Sequence, residues 1–444
     1  MTMNEIAEGT VPPGPRMPGW MLGLVLLWKP EQVLGWCTRR YGPTFTIRLG
    51  RKLGTIVYLT DPADIRELFR GDNDTFRAGQ ANATILAPLL GTSSVLVTDG
   101  ELHKRQRKLM NPAFHGKSVD RLAPMMAEIA ATEIESWPVG VKVATRPLFQ
   151  RITLEVILRT VIGADDETSL AELREALPPM VDLNLLAMMQ FAFPRLAGMW
   201  PWSRFKPVAA RANAALYAEI HRCRNDPTGR SDVLATLVSA TDDDGDHLSE
   251  AELRDQLVTL LLAGHETTAT GLAWALERLV RHPEILARAT TAAREGDDAY
   301  LDAVVAETLR VRPVVPDISR MVTRPALLGR WRLRAGVVAN PAIVVVHKGA
   351  GNYGEPGRFD PERFLGRPPD PAIWLPFGGG SRRCLGAAFA ATEMRVVLRE
   401  LLQRVELEAT SDADERVKLR HVTLVPRDGA KVRIVRRVPA TLRR

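Results

Sequence analysis

The sequence predicts a mainly α-helical protein with small β-sheets at one side, and three observations predict it. Apolar residues recur with helical periodicity from Pro62 to Leu309, broken only by short loops. One stretch opens on the capping box Ser249–Glu252 and meets no proline until Pro283, which reads as a helix of about 30 residues, roughly 45 Å long. Runs of strand character are few and short, and they lie before residue 61 and after residue 330.

The elements follow in order. Residues 1–28 read as a flexible N-terminal segment ahead of a single domain, since no low-complexity linker divides the 444 residues. Within that segment Met17–Trp28 is apolar but too short to cross a bilayer, which takes about 20 residues, and no small-residue cleavage site follows it. A soluble, cytoplasmic chain without a transmembrane anchor is expected, with room for a weak membrane-surface contact through this segment. Thr44–Leu49 and Thr55–Thr60 flank Lys52-Leu53-Gly54 as a hairpin. Further strands are expected at Trp331–Leu333, Val344–His347, Val417–Leu424 and Val432–Val435, with Asp428-Gly429 as the turn between the last two.

Composition narrows the function classes. The net charge of +7 suits acidic partners, but no basic motif points to nucleic acid. Cys37, Cys223 and Cys384 form no CxxC pair, so neither a disulfide framework nor a zinc site is expected, and a reducing compartment is. The acidic run Asp242–Asp246 fails as a calcium loop because Ala240 and Ala251 stand at its end positions, which leaves a solvated loop.

Three stretches carry chemistry. In Leu260-Leu261-Leu262-Ala263-Gly264-His265-Glu266-Thr267-Thr268 an acid and two hydroxyls interrupt a leucine-rich helix. A buried carboxylate needs a partner, Gly264 permits close approach, and the Thr267 hydroxyl can compete for a helix carbonyl. The group could form a notch that passes protons. In Glu307-Thr308-Leu309-Arg310 opposite charges lie at i and i+3, and Arg363 follows later, so the three would form a structural clamp. The third stretch is PFGGGSRRCLG, residues 376–386. It lacks the Lys-Ser/Thr of a P-loop, Arg383 occupies the third glycine position of a dinucleotide fingerprint, and neither His347 nor His421 is tied to Cys384 as a base. A thiolate ligand in a glycine loop beneath a flat macrocycle uses all the parts: N–H groups for the sulfur, arginine for a propionate, Phe377 as a shield.

These stretches, in this order, resemble the cytochrome P450 family. Phe377, Gly380, Arg382, Cys384 and Gly386 match its haem loop; Ala263, Gly264, Glu266 and Thr267 match its central helix; Glu307 and Arg310 match its E-x-x-R pair, with Pro361–Phe364 after it. His103 and Arg107 are similar to its propionate-binding segment, without the tryptophan some members carry there, and Arg320 matches a further propionate arginine. The resemblance runs from about Pro30 to Arg437 and implies the fold of that family, with haem b between the long helix and the cysteine loop. It implies Cys384 as iron ligand, His103, Arg107, Arg320, Arg382, Phe377, Gly378, Ala263 and Gly264 around the cofactor, and Glu266 and Thr267 as proton-delivering groups. Glu307, Arg310 and Arg363 would be structural.

The activity so implied is insertion of one oxygen atom of O2 into a C–H or C=C bond of a small hydrophobic substrate such as a terpenoid, fatty acid or steroid. A monomeric enzyme is expected, drawing electrons from a separate acidic ferredoxin or flavodoxin with its reductase, docking near Lys104, Arg105, Lys108, Arg382 and Arg383. By family position Ile85, Leu86, Leu89, Leu90, Met188, Met189, Leu262, Ala263, Val314, Val315, Val422 and Thr423 wall the substrate pocket, and Met189–Trp202 forms an apolar lid. Two other readings compete: a peroxide-driven or redox-neutral haem-thiolate enzyme (peroxygenase or isomerase), and a non-catalytic haem protein. An intact Glu266–Thr267 pair weighs against both.

Overall fold

The computed structural model describes residues 11–439 apart from 51–53, 72, 182–198, 201, 227–228, 317 and 421. Its centre is the helix Glu250–Val280, 31 residues long. Both bonds of the capping box form: the Ser249 N–H donates to Glu252 Oε2 at 2.9 Å and the Glu252 N–H to Ser249 Oγ at 3.2 Å. Every residue from Thr268 to Val280 is buried, mostly apolar, with Glu277 and Arg278 paired to each other, because helices and strands pack around this half. Small residues set the closest approaches. A Cβ on Gly264 would lie 3.2 Å from Ile157 Cδ1, and one on Gly271 would lie 3.0 Å from Met394 Cε. The long helix therefore meets helix Thr145–Val156, with its π-helical continuation Ile157–Ile162, on one side and helix Ala387–Arg404 on the other.

Twelve short strands are described: β1 Thr44–Arg48, β2 Thr55–Leu59, β3 Phe76–Arg77, β4 Lys142–Ala144, β5 Arg320–Val322, β6 Ala326–Leu328, β7 Trp331–Leu333, β8 Val337–Pro341, β9 Val405–Ala409, β10 Val417–Arg420, β11 Thr423–Pro426 and β12 Lys431–Arg437. The largest sheet has the order β1-β2-β8-β5-β3, a second has β4-β12-β9, and β6–β7 and β10–β11 are hairpins. The expected β1–β2 hairpin forms with Thr44 opposite Leu59.

Several expected elements differ. Val344–His347 is not a strand but lies in the short helix Ile343–Val346 and its C-cap. β-branched residues favour a strand, but β2 ends at Leu59, opposite Pro341, so the chain beyond has no partner edge. Its N–H groups are satisfied locally instead, Val346 bonding to Ala342 O at 3.0 Å and His347 to Ile343 O at 2.9 Å. Val417–Leu424 is two strands, β10 and β11, reversing between Arg420 and Thr423. Gly429, at φ +83°, makes the expected turn, yet β11 and β12 belong to different sheets. Within the N-terminal segment residues 19–28 form a helix, and Pro12 and Pro13 carbonyls accept from the Thr46 hydroxyl and N–H at 2.7 and 2.8 Å.

Ser249→Ala removes the hydroxyl that accepts from the Glu252 N–H and donates to the Glu252 carboxylate, while the Ser249 N–H bond to Glu252 stays. It is expected to lower stability by about 1 kcal/mol, read as a shift of the urea midpoint at constant slope.

Candidate functional site

The cysteine loop is built by short backbone bonds. Gly378 N–H donates to Leu375 O at 3.0 Å, Arg383 N–H to Gly380 O at 3.1 Å, and Cys384 N–H to Phe377 O at 2.8 Å. Gly380 sits at φ +67°, and a Cβ there would come within 2.2 Å of Phe69 O, so only glycine fits. Phe377 meets Trp374 edge-on at 5.7 Å, and the Trp374 indole donates to Ala306 O at 3.1 Å, which ties the loop to helix Asp298–Val311.

Cys384 is exposed, unlike Cys37 and Cys223. The protein atoms crowded around it nonetheless push its thiol up by desolvation, opposed by the Gly386 N–H and by Arg107 and Arg383. Left to itself it would hold its proton; coordination to a metal removes that proton outright. The other two thiols are pushed up by burial alone or mainly so, Cys37 to about 11, and have no comparable surroundings.

Beside the sulfur stands a cationic cluster. Arg382 donates to Val95 O at 3.2 Å and Thr98 O at 2.7 Å and pairs with Asp99. Burial and then repulsion by Arg382 hold Arg320 at about 10; burial likewise holds Arg382 at about 10 despite Asp99. His103 is buried and driven down to about 3 by burial, then by Arg382, Arg107 and Arg320. Neither the His103 ring nor the Arg107 guanidinium has a hydrogen-bond partner among the described residues. Three guanidiniums and an imidazole with one carboxylate among them form a donor set that wants anionic oxygens. A flat dianionic macrocycle whose metal takes a thiolate fits these residues.

The segment carrying Val95 and Thr98 also bonds to the long helix. Ser93 N–H donates to Asp255 Oδ2 at 3.0 Å and Val95 N–H to Gln256 Oε1 at 3.1 Å. Further along that helix the Thr267 hydroxyl donates to Ala263 O at 2.5 Å, and Ala263 is exposed while Leu262 and Thr267 are partly so. Gly264 turns its open side to Ile157. Glu266 does not stand free: Arg146 pairs with it, and Gln150 Nε2 donates to its Oε2 at 2.7 Å. His265 is buried beside it, within 2.9 Å of Thr153 Oγ1, and burial lowers it to about 4.

The expected clamp is assembled. Arg310 Nε and Nη2 donate to Glu307 at 2.6 and 2.7 Å with both side chains fully buried, and Arg363 Nε lies 3.5 Å from Glu307. Sequence reasoning missed His347 as its bridge to the cysteine loop. His347 Nδ1 lies 3.0 Å from Arg310 O, and Leu375 N–H donates to His347 Nε2 at 2.8 Å. It missed Arg146, Gln150, Asp99 and Phe69 as well. None has a local pattern, since each acts on a residue far away in the chain.

The pocket residues divide. Ile85 and Val422 are exposed, and Leu86 and Val315 are partly exposed. Leu89, Leu90 and Val314 lie in the main core, and Thr423 is buried with its hydroxyl donating to Arg420 O. Val314 O accepts from Leu424 N–H at 2.7 Å, which docks β11 near the end of helix Asp298–Val311. Met188 and Met189, and the lid as far as residue 198, lie outside the described residues. The cations expected to meet an electron donor are mostly engaged. Arg105 pairs with Asp242 and Glu252, Lys108 with Asp243, Lys104 with Glu101 and Arg382 with Asp99. The acidic run is the expected solvated loop, with Asp243–Asp246 exposed, and two of its acids, Asp242 and Asp243, pair with Arg105 and Lys108. Arg383 alone of the five is exposed without an ion pair among the described residues.

A model of the cytochrome P450 family matches residues 12–433. The chain belongs to the cytochrome P450 family. As a P450 it is a haem-dependent monooxygenase that uses O2 and a redox partner. Cytochrome P450 135B1 of Mycobacterium tuberculosis is 50% identical over 440 residues, covering 97% of this chain and 93% of that one. Cytochrome P450 135A1 of the same organism is 38% identical over 428 residues, covering 96% and 95%. Among solved structures, the retinoic acid-bound cyanobacterial CYP120A1 superposes with a TM-score of 0.82 at 25% identity, covering 97% of this chain and 100% of that one. The fold is shared by the cytochrome P450DA haem domain at a TM-score of 0.80.

Two outcomes follow from the site of this P450. Gly380→Ala, strained at its positive φ and against Phe69, is expected to lose more than about 1 kcal/mol and to retain less haem after purification. Buried His347 takes a proton only near about 3, held down by burial, whereas an unfolded histidine takes one near about 6.5. The unfolded chain therefore binds more protons between these values, so stability falls as pH drops from about 6.5 towards 3. His347→Gln should flatten that slope in denaturation midpoints measured at successive pH values.

Proposed function

We propose that this P450 oxidises a small apolar substrate, of terpenoid, fatty acid or steroid type, at a C–H or C=C bond, with electrons from a separate ferredoxin or flavodoxin. Cys384 is the iron ligand in this reading, and His103, Arg107, Arg320 and Arg382 take the propionates. The haem is of the b type, since Cys384 has no second cysteine or following histidine in the pattern that covalent attachment needs. When bound, it supplies O2 activation and oxygen transfer, with the thiolate favouring O–O cleavage. The solved relative's retinoic acid, apolar apart from its carboxyl group, supports a largely apolar substrate here.

The observation that carries the monooxygenase reading is the arrangement at Glu266 and Thr267. The Thr267 hydroxyl is anchored by Ala263 O, which leaves its oxygen free to accept and relay a proton. Glu266, next in the chain, is held by Arg146 and Gln150 and must loosen from Arg146 to exchange a proton with the site. Arg146 thereby meters proton supply, which a peroxide-driven or redox-neutral enzyme does not need. Leu262, Ala263 and Ile85 would present apolar surface to the substrate, and Arg383 remains to meet an acidic donor.

Cys384→Ser is expected to abolish the red-shifted Soret band of the reduced carbon monoxide complex, while Thr267→Ala keeps that band and spends reductase-supplied electrons without matching product. A Cys384→Ser protein with an unchanged spectrum would overturn the ligand assignment. Equal product from Thr267→Ala, or turnover with peroxide but none with ferredoxin or flavodoxin, would favour the other haem-thiolate readings.

A further inference from the structure

The helix Gly19–Trp28, GWMLGLVLLW, contains no charged residue, and only half of it is covered. Its inner face rests on β1: a Cβ on Gly19 would fall 2.6 Å from Leu49 C, and Leu22 is buried with Leu34, Phe45 and Ile47. The outer face is open. Trp20, Leu24 and Trp28, spaced four apart, are 68%, 57% and 86% exposed, with Met17, Met21 and Val25 exposed alongside. Trp36 on the following helix Pro30–Tyr41 is exposed too. Isolated exposed apolar residues are ordinary; a contiguous stripe holding two open tryptophans is not.

The rim of this stripe is basic. Arg16 precedes it, Lys29 ends it and Arg48 lies on the strand beneath Gly19; all three are exposed and unpaired among the described residues. The nearby acid, Glu31, is bonded to Lys348 at 2.7 Å. No helix of the described residues is long and apolar enough to cross a membrane, and ten residues span only about 15 Å. A short apolar helix lying flat, with tryptophans on its free side and cations at its edges, has the chemistry of an interfacial anchor. A second copy of the chain fits less well, because pairing two such faces would bring their cationic rims together.

We propose that this helix lays its open face on an anionic lipid bilayer, with Trp20, Leu24 and Trp28 at the acyl boundary and Arg16, Lys29 and Arg48 against headgroup phosphates. The test uses the full-length haem-loaded protein, sedimented with vesicles of equimolar phosphatidylglycerol and phosphatidylcholine, or of phosphatidylcholine alone. Binding is expected to the anionic vesicles, weakened by salt. A Leu24→Glu/Trp28→Glu protein should bind more than about tenfold less tightly. Arg16→Gln, Lys29→Gln and Arg48→Gln should each weaken binding by up to ~fivefold. These side chains are exposed, so haem spectrum and circular dichroism should match the parent. Parent protein that stays off the anionic vesicles, or equal binding by Leu24→Glu/Trp28→Glu, overturns the proposal. So does a parent that ignores vesicles and elutes as a dimer which that variant dissolves, for the stripe then belongs to a second copy.

Discussion

Arg310 uses every N–H it has. Its guanidinium makes two bonds to Glu307 and one each to the carbonyls of His347, Pro356 and Arg358, while Tyr353 lies 4.8 Å from its charge. Glu307 in turn accepts the Asp360 N–H at 2.8 Å. One fully buried ion pair thus gathers the irregular chain from 347 to 360 onto helix Asp298–Val311. A buried pair adds little over an apolar core, but losing one partner strands a charge at a cost of about 3–5 kcal/mol. What it secures is arrangement. His347, held by Arg310 O, presents its other nitrogen to Leu375, and Leu375 O accepts from Gly378, so the cysteine loop inherits its position from the clamp.

The neutral state of His347 follows from the same geometry. A proton on both nitrogens would leave Leu375 N–H facing a donor at a fully buried position. The loop is therefore joined to the clamp by an uncharged link, while charge is concentrated at Arg382, Arg320 and Arg107 around His103. A neutral support holds the loop, and a set of cations suited to anionic groups stands apart from that support.

Local chemistry made the centre of the molecule legible. Ser249 and Glu252 announce the long helix because a capping box acts within four residues, and the glycines before Cys384 announce a tight loop because only glycine tolerates it. Glu307 and Arg310 were a weak signal alone and became informative through their company. What escaped reading depends on partners remote in sequence: Arg146 meets Glu266 across 120 residues, and Arg105 meets Asp242 across 137. Two of the expected docking cations, Arg105 and Lys108, thus find counterions in the solvated acidic loop. The misread strands turn on pairing as well. Val344–His347 has strand-like residues but no neighbouring edge to pair with, and Val417–Leu424 divides because β10 pairs with β11 within the same segment.

The parallel pairing of β2 with β8 has a consequence for synthesis of the chain. Residues 55–59 leave the ribosome with β1 on one edge, but the other edge is matched only by residues 337–341. At roughly 5–20 residues per second, the roughly 280 residues between them take on the order of 15–60 s to emerge. Throughout that interval an Ile-Val-Tyr-Leu edge is bare on the nascent polypeptide. Translation speed and chaperone occupancy, rather than the finished energetics, then govern how much of the product reaches its native sheet.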